Sequence, residues 1–73
     1  MSSCRATNEN LLTAIRTAAE ARWPGQLLSI DVDQVSSRLW VAAVTSGAWT
    51  RAIESGATEA EALERLLAEV TRA

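Results

Sequence analysis

The chain has no histidine, no phenylalanine and no tyrosine, and each absence narrows what it does. Without histidine it lacks the commonest general base near neutral pH, the Ser/His/Asp and Cys/His nucleophile systems, and most zinc-binding sets. The lone cysteine, Cys4, closes no intramolecular disulfide and is expected to be an incidental reduced thiol in a cytoplasmic protein. Gly25, Gly47 and Gly56 are scattered at expected turns, so no phosphate-cradling loop is present. Lysine is also missing. All seven basic residues are arginines, spread from Arg5 to Arg72 at a net charge of −2, without the basic stripe that nucleic-acid binders use to neutralise phosphates. No apolar run approaches the roughly 18 residues of a membrane span. The opening Met1-Ser2-Ser3-Cys4-Arg5 lacks the regions of a secretory signal. A soluble, intracellular protein without membrane or nucleic-acid partners is expected.

What is present describes one small domain spanning residues 1–73. A chain of this size buries only about 60% of the surface its unfolded form exposes, so its margin of stability is thin and oligomerisation would widen it. The hydrophobic fraction is ordinary at 48%, but its only aromatics are three tryptophans. Aliphatic packing must therefore make most of the core.

Residues 1–6 read as a flexible lead-in. Thr7, Asn8 and Asn10 offer capping side chains, and Leu11, Leu12, Ile15, Ala18, Ala19 and Trp23 recur at helical spacing, predicting a helix over about 8–22. Pro24-Gly25 stops it and leaves Trp23 as a plug over the core. From about 27 to 33 the pattern alternates, with Leu28, Ile30 and Val32 on one face and Ser29, Asp31 and Asp33 on the other. A four-residue connection, Gln34 to Ser37, would pair Asp33 with Arg38, Asp31 with Trp40 and Ile30 with Val41. Strands over about 38–45 and 48–54 follow, joined at Ser46-Gly47. Thr58-Glu59-Ala60-Glu61 has the capping-box form, with Thr58 and Glu61 each reaching the other's amide. It opens a helix over about 58–71, whose apolar stripe is Ala60, Leu63, Leu66, Leu67 and Val70. Glu61 and Arg65 are spaced for a weak surface pair. The expected fold is α+β: a two-layer αβββα domain, its three-stranded antiparallel meander carrying two helices on one face. The other sheet face is left open.

Few side chains suit catalysis. Asp31 and Asp33 share a strand face and would need Glu54 nearby to hold a cation; the simpler reading is a solvated, charged strand edge. Glu59, Glu61 and Glu64 are helix-start acids favoured by the helix dipole. No enzyme, cofactor or metal is expected.

The tryptophans point elsewhere. If Leu39 and Val41 join Leu28, Ile30 and Val32 in facing the helices, alternation sends Trp40, Ala42 and Val44 to the open face. A two-residue Ser46-Gly47 loop would add Trp49 and Ile53 to that face, while a longer loop with a glycine bulge would turn both inward. On the open face Trp40 either lies flat beneath the stems of Arg38 and Arg51 or anchors a contact with another protein or a second copy. The expected contact surface is therefore Trp40, Val44, Trp49, Arg51 and Ile53, with an acidic edge at Asp31 and Asp33 suited to a basic surface.

Three resemblances bear on function. Leu39-Trp40-Val41-Ala42-Ala43-Val44 through Thr50, then Gly56-Ala57-Thr58-Glu59-Ala60-Glu61-Ala62-Leu63, resembles the strand, turn and helix pattern of HicB-like antitoxins over residues 38–70, implying an antitoxin or regulator. The helix, three strands, helix order resembles the double-stranded-RNA-binding domain. That family has a lysine-rich start to its last helix, where this chain has Glu59, Glu61 and Glu64, so the likeness implies a shape rather than RNA binding. Small size, acidity and the lack of catalytic groups are similar to phage-encoded inhibitors, including anti-CRISPR proteins. That profile implies a non-enzymatic protein-binding module that occupies a host defence complex, with a HicB-like antitoxin or regulator, a nucleic-acid-binding domain and a structural homodimer as alternatives.

Overall fold

A computed structural model describes the backbone of residues 3–72 and the side chains of residues 8–72. In chain order the elements are α1 (Ser3–Arg22), β1 (Leu28–Ser36), β2 (Leu39–Ser46), β3 (Trp49–Gly56) and α2 (Glu59–Thr71). The strands form an antiparallel meander with β2 in the centre. The αβββα order expected from the sequence is therefore the fold.

Helix α1 starts earlier than its capping residues suggested, so residues 3–6 are helical rather than a lead-in. Residues 1 and 2, and the Cys4 side chain, lie outside the described residues. At its other end the Trp23 amide still donates to the Ala19 carbonyl at 2.8 Å. Pro24 then ends the ladder. Gly25 follows at φ 79°, the left-handed geometry that the third position of a Pro-Gly type II turn requires.

The hairpin registers differ from expectation, and the difference inverts the sheet. Strand β1 runs on through Gln34, Val35 and Ser36, leaving only Ser37 and Arg38 in the turn. Ser36 pairs with Leu39, but a bulge at Val35 shifts the next pairs to Gln34 with Trp40, Val32 with Ala42, and Ile30 with Val44. Without that extra residue Val32 would oppose Ala43. Because side chains alternate with period two, a one-residue slip moves a strand's whole inward set to the other face. Trp40, Ala42 and Val44 therefore face the helices with Ile30 and Val32, while Leu39 and Val41 face away. This reverses the expected assignment.

A second bulge acts the same way on β3. The turn is Gly47-Ala48, not Ser46-Gly47, and Gly47 has φ 61°, as the first central position of a type II′ turn requires. Ser46 pairs with Trp49 and Thr45 with Thr50, after which Arg51 is bulged and Val44 pairs with Ala52. Ala52 is thereby turned inward and Ile53 outward.

Both helices cover the face so formed. Its buried core is Ile15 and Ala19 of α1, Ala42 and Val44 of β2, Ala52 of β3, and Ala62, Leu63, Leu66 and Val70 of α2. Leu28, Ile30, Val32, Trp40 and Trp23 pack around it, the last as the expected plug. Small residues in the sheet leave room for leucines from α2. No polar side chain among the described residues is fully buried in this core.

Helix α2 is fixed at both ends. Thr58 Oγ1 accepts from the Glu61 amide at 3.1 Å, as expected, but the Glu61 carboxylate reaches past Thr58 to the Ala57 amide at 2.7 Å. The Glu61–Arg65 pair forms at 3.8 Å, and Arg65 also donates to the Ser55 carbonyl at 3.0 Å, tying the helix to the end of β3. At the far end Arg22 of α1 donates to the carbonyls of Glu69, Val70 and Arg72.

Candidate functional site

The sheet face turned away from the helices has no covering layer among the described residues. Its rows follow from the pairing: Ser29, Thr45 and Thr50; then Asp31, Ala43 and Ile53; then Asp33, Val41 and Ser55; and finally Ser36 beside Leu39. Alternation places the bulge residues Val35 and Arg51 on this face too. An apolar band thus runs diagonally from Val35 through Leu39, Val41 and Ala43 to Ile53. Val35 is 61%, Ile53 57% and Leu39 39% exposed, large values for aliphatic side chains in a sheet.

Charge on this face is divided between its edges. Asp31 and Asp33 stand on β1, and Arg51 stands on β3, about 10 Å away across two strand spacings. At that distance they make no direct ion pair, so the three charges are open to an outside group. Asp31 has one long neighbour, the Thr45 hydroxyl, which donates to its Oδ2 at 3.5 Å.

Four of the seven residues expected to form the contact surface, Asp31, Asp33, Arg51 and Ile53, lie together here. Two do not. Val44 is fully buried, and Trp40 is half-buried against the core beside its register partners Gln34 and Gly56. The bulge at Val35 is the reason for both. Trp49 pairs with Ser46 on the helix-side rows, but it stands at the end of the sheet and is 70% exposed. The sequence reading missed Val35, Leu39, Val41 and Ala43 as surface residues. The available signal was that β2 is apolar at odd and even positions alike, which leaves its inward face to be chosen by the turns.

No other cluster competes with this face. Glu54 pairs with Ala42 on the helix side, so it cannot join Asp31 and Asp33, and no three acidic or cysteine side chains converge among the described residues. A shallow depression between the helix ends is lined by Ala18, Ala21, Arg22, Val70, Thr71 and Arg72, and Arg22 is already engaged there by the end of α2. No described helix is long and apolar enough to cross a membrane.

The fold and face define a two-layer α+β domain with one uncovered sheet surface. No protein-family model matches the sequence, and no curated protein or solved structure matches it significantly. The likeness to HicB-like antitoxins thus rests on the residues quoted for it, that to the double-stranded-RNA-binding domain on the order of elements, and that to phage inhibitors on size and composition.

Proposed function

We propose that this chain is a non-enzymatic protein-binding module whose contact surface is the open sheet face. The observation that carries the reading is the band of exposed Val35, Leu39 and Ile53, with half-buried Val41 and Ala43 between them, on a structured sheet flanked by charges of both signs that form no ion pair among the described residues. Apolar groups gathered on a rigid face and rimmed by charge are the usual make-up of an interaction site. The missing histidine and the single cysteine support a role without covalent chemistry. In the inhibitor form of this reading, Asp31 and Asp33 dock on a basic surface of a defence complex and block it, with charge acting mainly on encounter rate.

The test is affinity capture from a lysate of the source cells, with wild type and Ile53→Arg as baits at low concentration and mass spectrometry as readout. Partners held by wild type and lost by Ile53→Arg support the face. Identical partner sets for the two baits, or neither a lysate partner nor a second copy of the chain for wild type, reject it.

A further inference from the structure

We infer that the partner of the open face is a second copy of this chain, related by a two-fold axis running along the mean direction of the two β2 strands. This rests on reading that face as a protein-binding surface and names what covers it.

The first support is the arrangement of charge. Acid lies on β1 (Asp31, Asp33), aliphatic side chains fill the middle, and base lies on β3 (Arg51). Two in-plane two-folds stack such a face on itself. An axis perpendicular to the strands sets β1 over β1, bringing four carboxylates together and arginine against arginine. An axis along β2 sets β1 over the partner's β3, so that the acidic edge lies over the basic edge twice by symmetry, while Leu39, Val41 and Ala43 of the two central strands meet on the axis and each Ile53 lies against the opposing Asp31 row. Along a strand, Arg51 is offset from the Asp31 row by about 7 Å, within the reach of an arginine side chain. A basic target would suit the aspartates but repel Arg51. Only a surface bearing both signs satisfies all three, and this chain has one.

The second support is that docking by the sheet edges is disfavoured. Both edge strands are bulged, β1 at Val35 and β3 at Arg51, and bulges twist an edge away from strand-to-strand pairing. That leaves stacking of sheet on sheet, with strands crossing at about 30° and the layers about 10 Å apart. Such a dimer would have four layers, helices outside and two sheets within. Its contact is small. Three strands of about eight residues present a face of roughly 14 Å by 26 Å, less than the ~800 Å² per partner of a standard interface, so the dimer is a weak, reversible one.

Sedimentation equilibrium from about 1 μM to about 1 mM tests this. Wild type should pass from monomer to dimer, dissociating at least tenfold more readily at about 0.5 M salt, where surface charges are screened. Ile53→Glu, which the same axis sets against the opposing Asp31, should remain monomeric while keeping the wild-type far-ultraviolet circular dichroism. Should it fail to fold, the charge variants decide. The double variant Asp31→Arg, Asp33→Arg and the single variant Arg51→Glu should each fail to self-associate, and their equimolar mixture should restore a dimer. A wild type that stays monomeric to about 1 mM overturns the dimer. So does a mixture that fails to associate, or self-association of Ile53→Glu equal to wild type. Lysate partners that depend on Ile53 would still stand in those cases, so the dimer and the binding-module reading fail separately.

Discussion

Gly56 lies directly beneath the backbone of Ala62: a Cβ on the glycine would stand 2.7 Å from the Ala62 nitrogen and 2.9 Å from the Glu61 side chain. This is where the end of β3 passes under the first turn of α2, and its closeness fixes the angle at which the helix crosses the sheet. Gly56 is buried and opposes Trp40 in the register, so the same spot is bounded by the tryptophan in the sheet.

Gly56→Ala should therefore destabilise the domain by about 1–3 kcal/mol, the usual cost of forcing a methyl group into packed backbone. Urea unfolding followed by tryptophan fluorescence measures it. A midpoint equal to or above wild type would mean that α2 moves freely off the sheet. Gly47→Ala meets no neighbouring atom but places a side chain at φ 61°, so its smaller loss, about 1 kcal/mol, would be backbone strain alone.

Trp40 and Ile53 should exchange the roles that simple alternation gives them. Trp40→Ala removes a large side chain packed against the core and should cost about 2–4 kcal/mol, somewhat less than full burial would imply because Trp40 is only half-buried. Ile53→Ser alters a side chain that is 57% exposed and should shift stability by less than about 1 kcal/mol while weakening association. Thermal unfolding and sedimentation on the same two variants separate the effects. A Trp40→Ala variant with wild-type stability would return Trp40 to the open face.

The contrast shows which features were legible in the sequence. Helix spacing, the Pro24-Gly25 stop and the Thr58 cap act within a few residues, and the order of elements and the core faces of both helices follow from them. The face of β2 does not. Its apolar residues, Leu39 to Val44, satisfy either orientation, and the choice falls to single extra residues at Val35 and Arg51. Neither Val35 nor Arg51 has a composition that marks a bulge; each is selected by the fit of Ala42, Val44 and Ala52 beneath the leucines of α2. Asp31 and Asp33 were placed correctly because β1 alternates cleanly; the face of Ile53, which the sequence left to the second turn, is set outward by the bulge at Arg51. Trp40 and Val44 were misplaced by the slip at Val35.

Thr58→Ala should remove the hydroxyl that accepts from the Glu61 amide and cost about 1 kcal/mol, the usual value of a helix N-cap. Thr58→Ser keeps the acceptor and should stay within about 0.5 kcal/mol of wild type. Equal losses in the two variants would assign the effect to the threonine methyl group instead of the cap. Glu61→Ala should add to Thr58→Ala less than additively, since the Ala57 amide and the Glu61 amide belong to one turn and both residues order it.

Arg22 supplies what α2 lacks. The last turn of α2 contains no basic residue, and its terminal carbonyls are met instead by the guanidinium of Arg22, at 3.1 Å from Glu69, 3.2 Å from Val70 and 2.6 Å from Arg72. The same guanidinium lies 5.3 Å from the Trp23 ring centroid, which holds it in place over the helix end. A cation there opposes the negative pole of the helix, and Nη1, which makes all three contacts, supplies donors to terminal carbonyls, of which only that of Glu69 also accepts from the Arg72 amide. Arg22→Ala should cost about 1–2 kcal/mol and speed amide exchange in the last turn of α1 and the last two turns of α2 together. Arg22→Lys retains the charge and N–H donors but not the planar guanidinium held against the Trp23 ring, so it should recover only part of the stability and of the exchange protection. Hydrogen exchange unchanged in α2 for Arg22→Ala would show that the Arg22 contacts do not hold the end of α2.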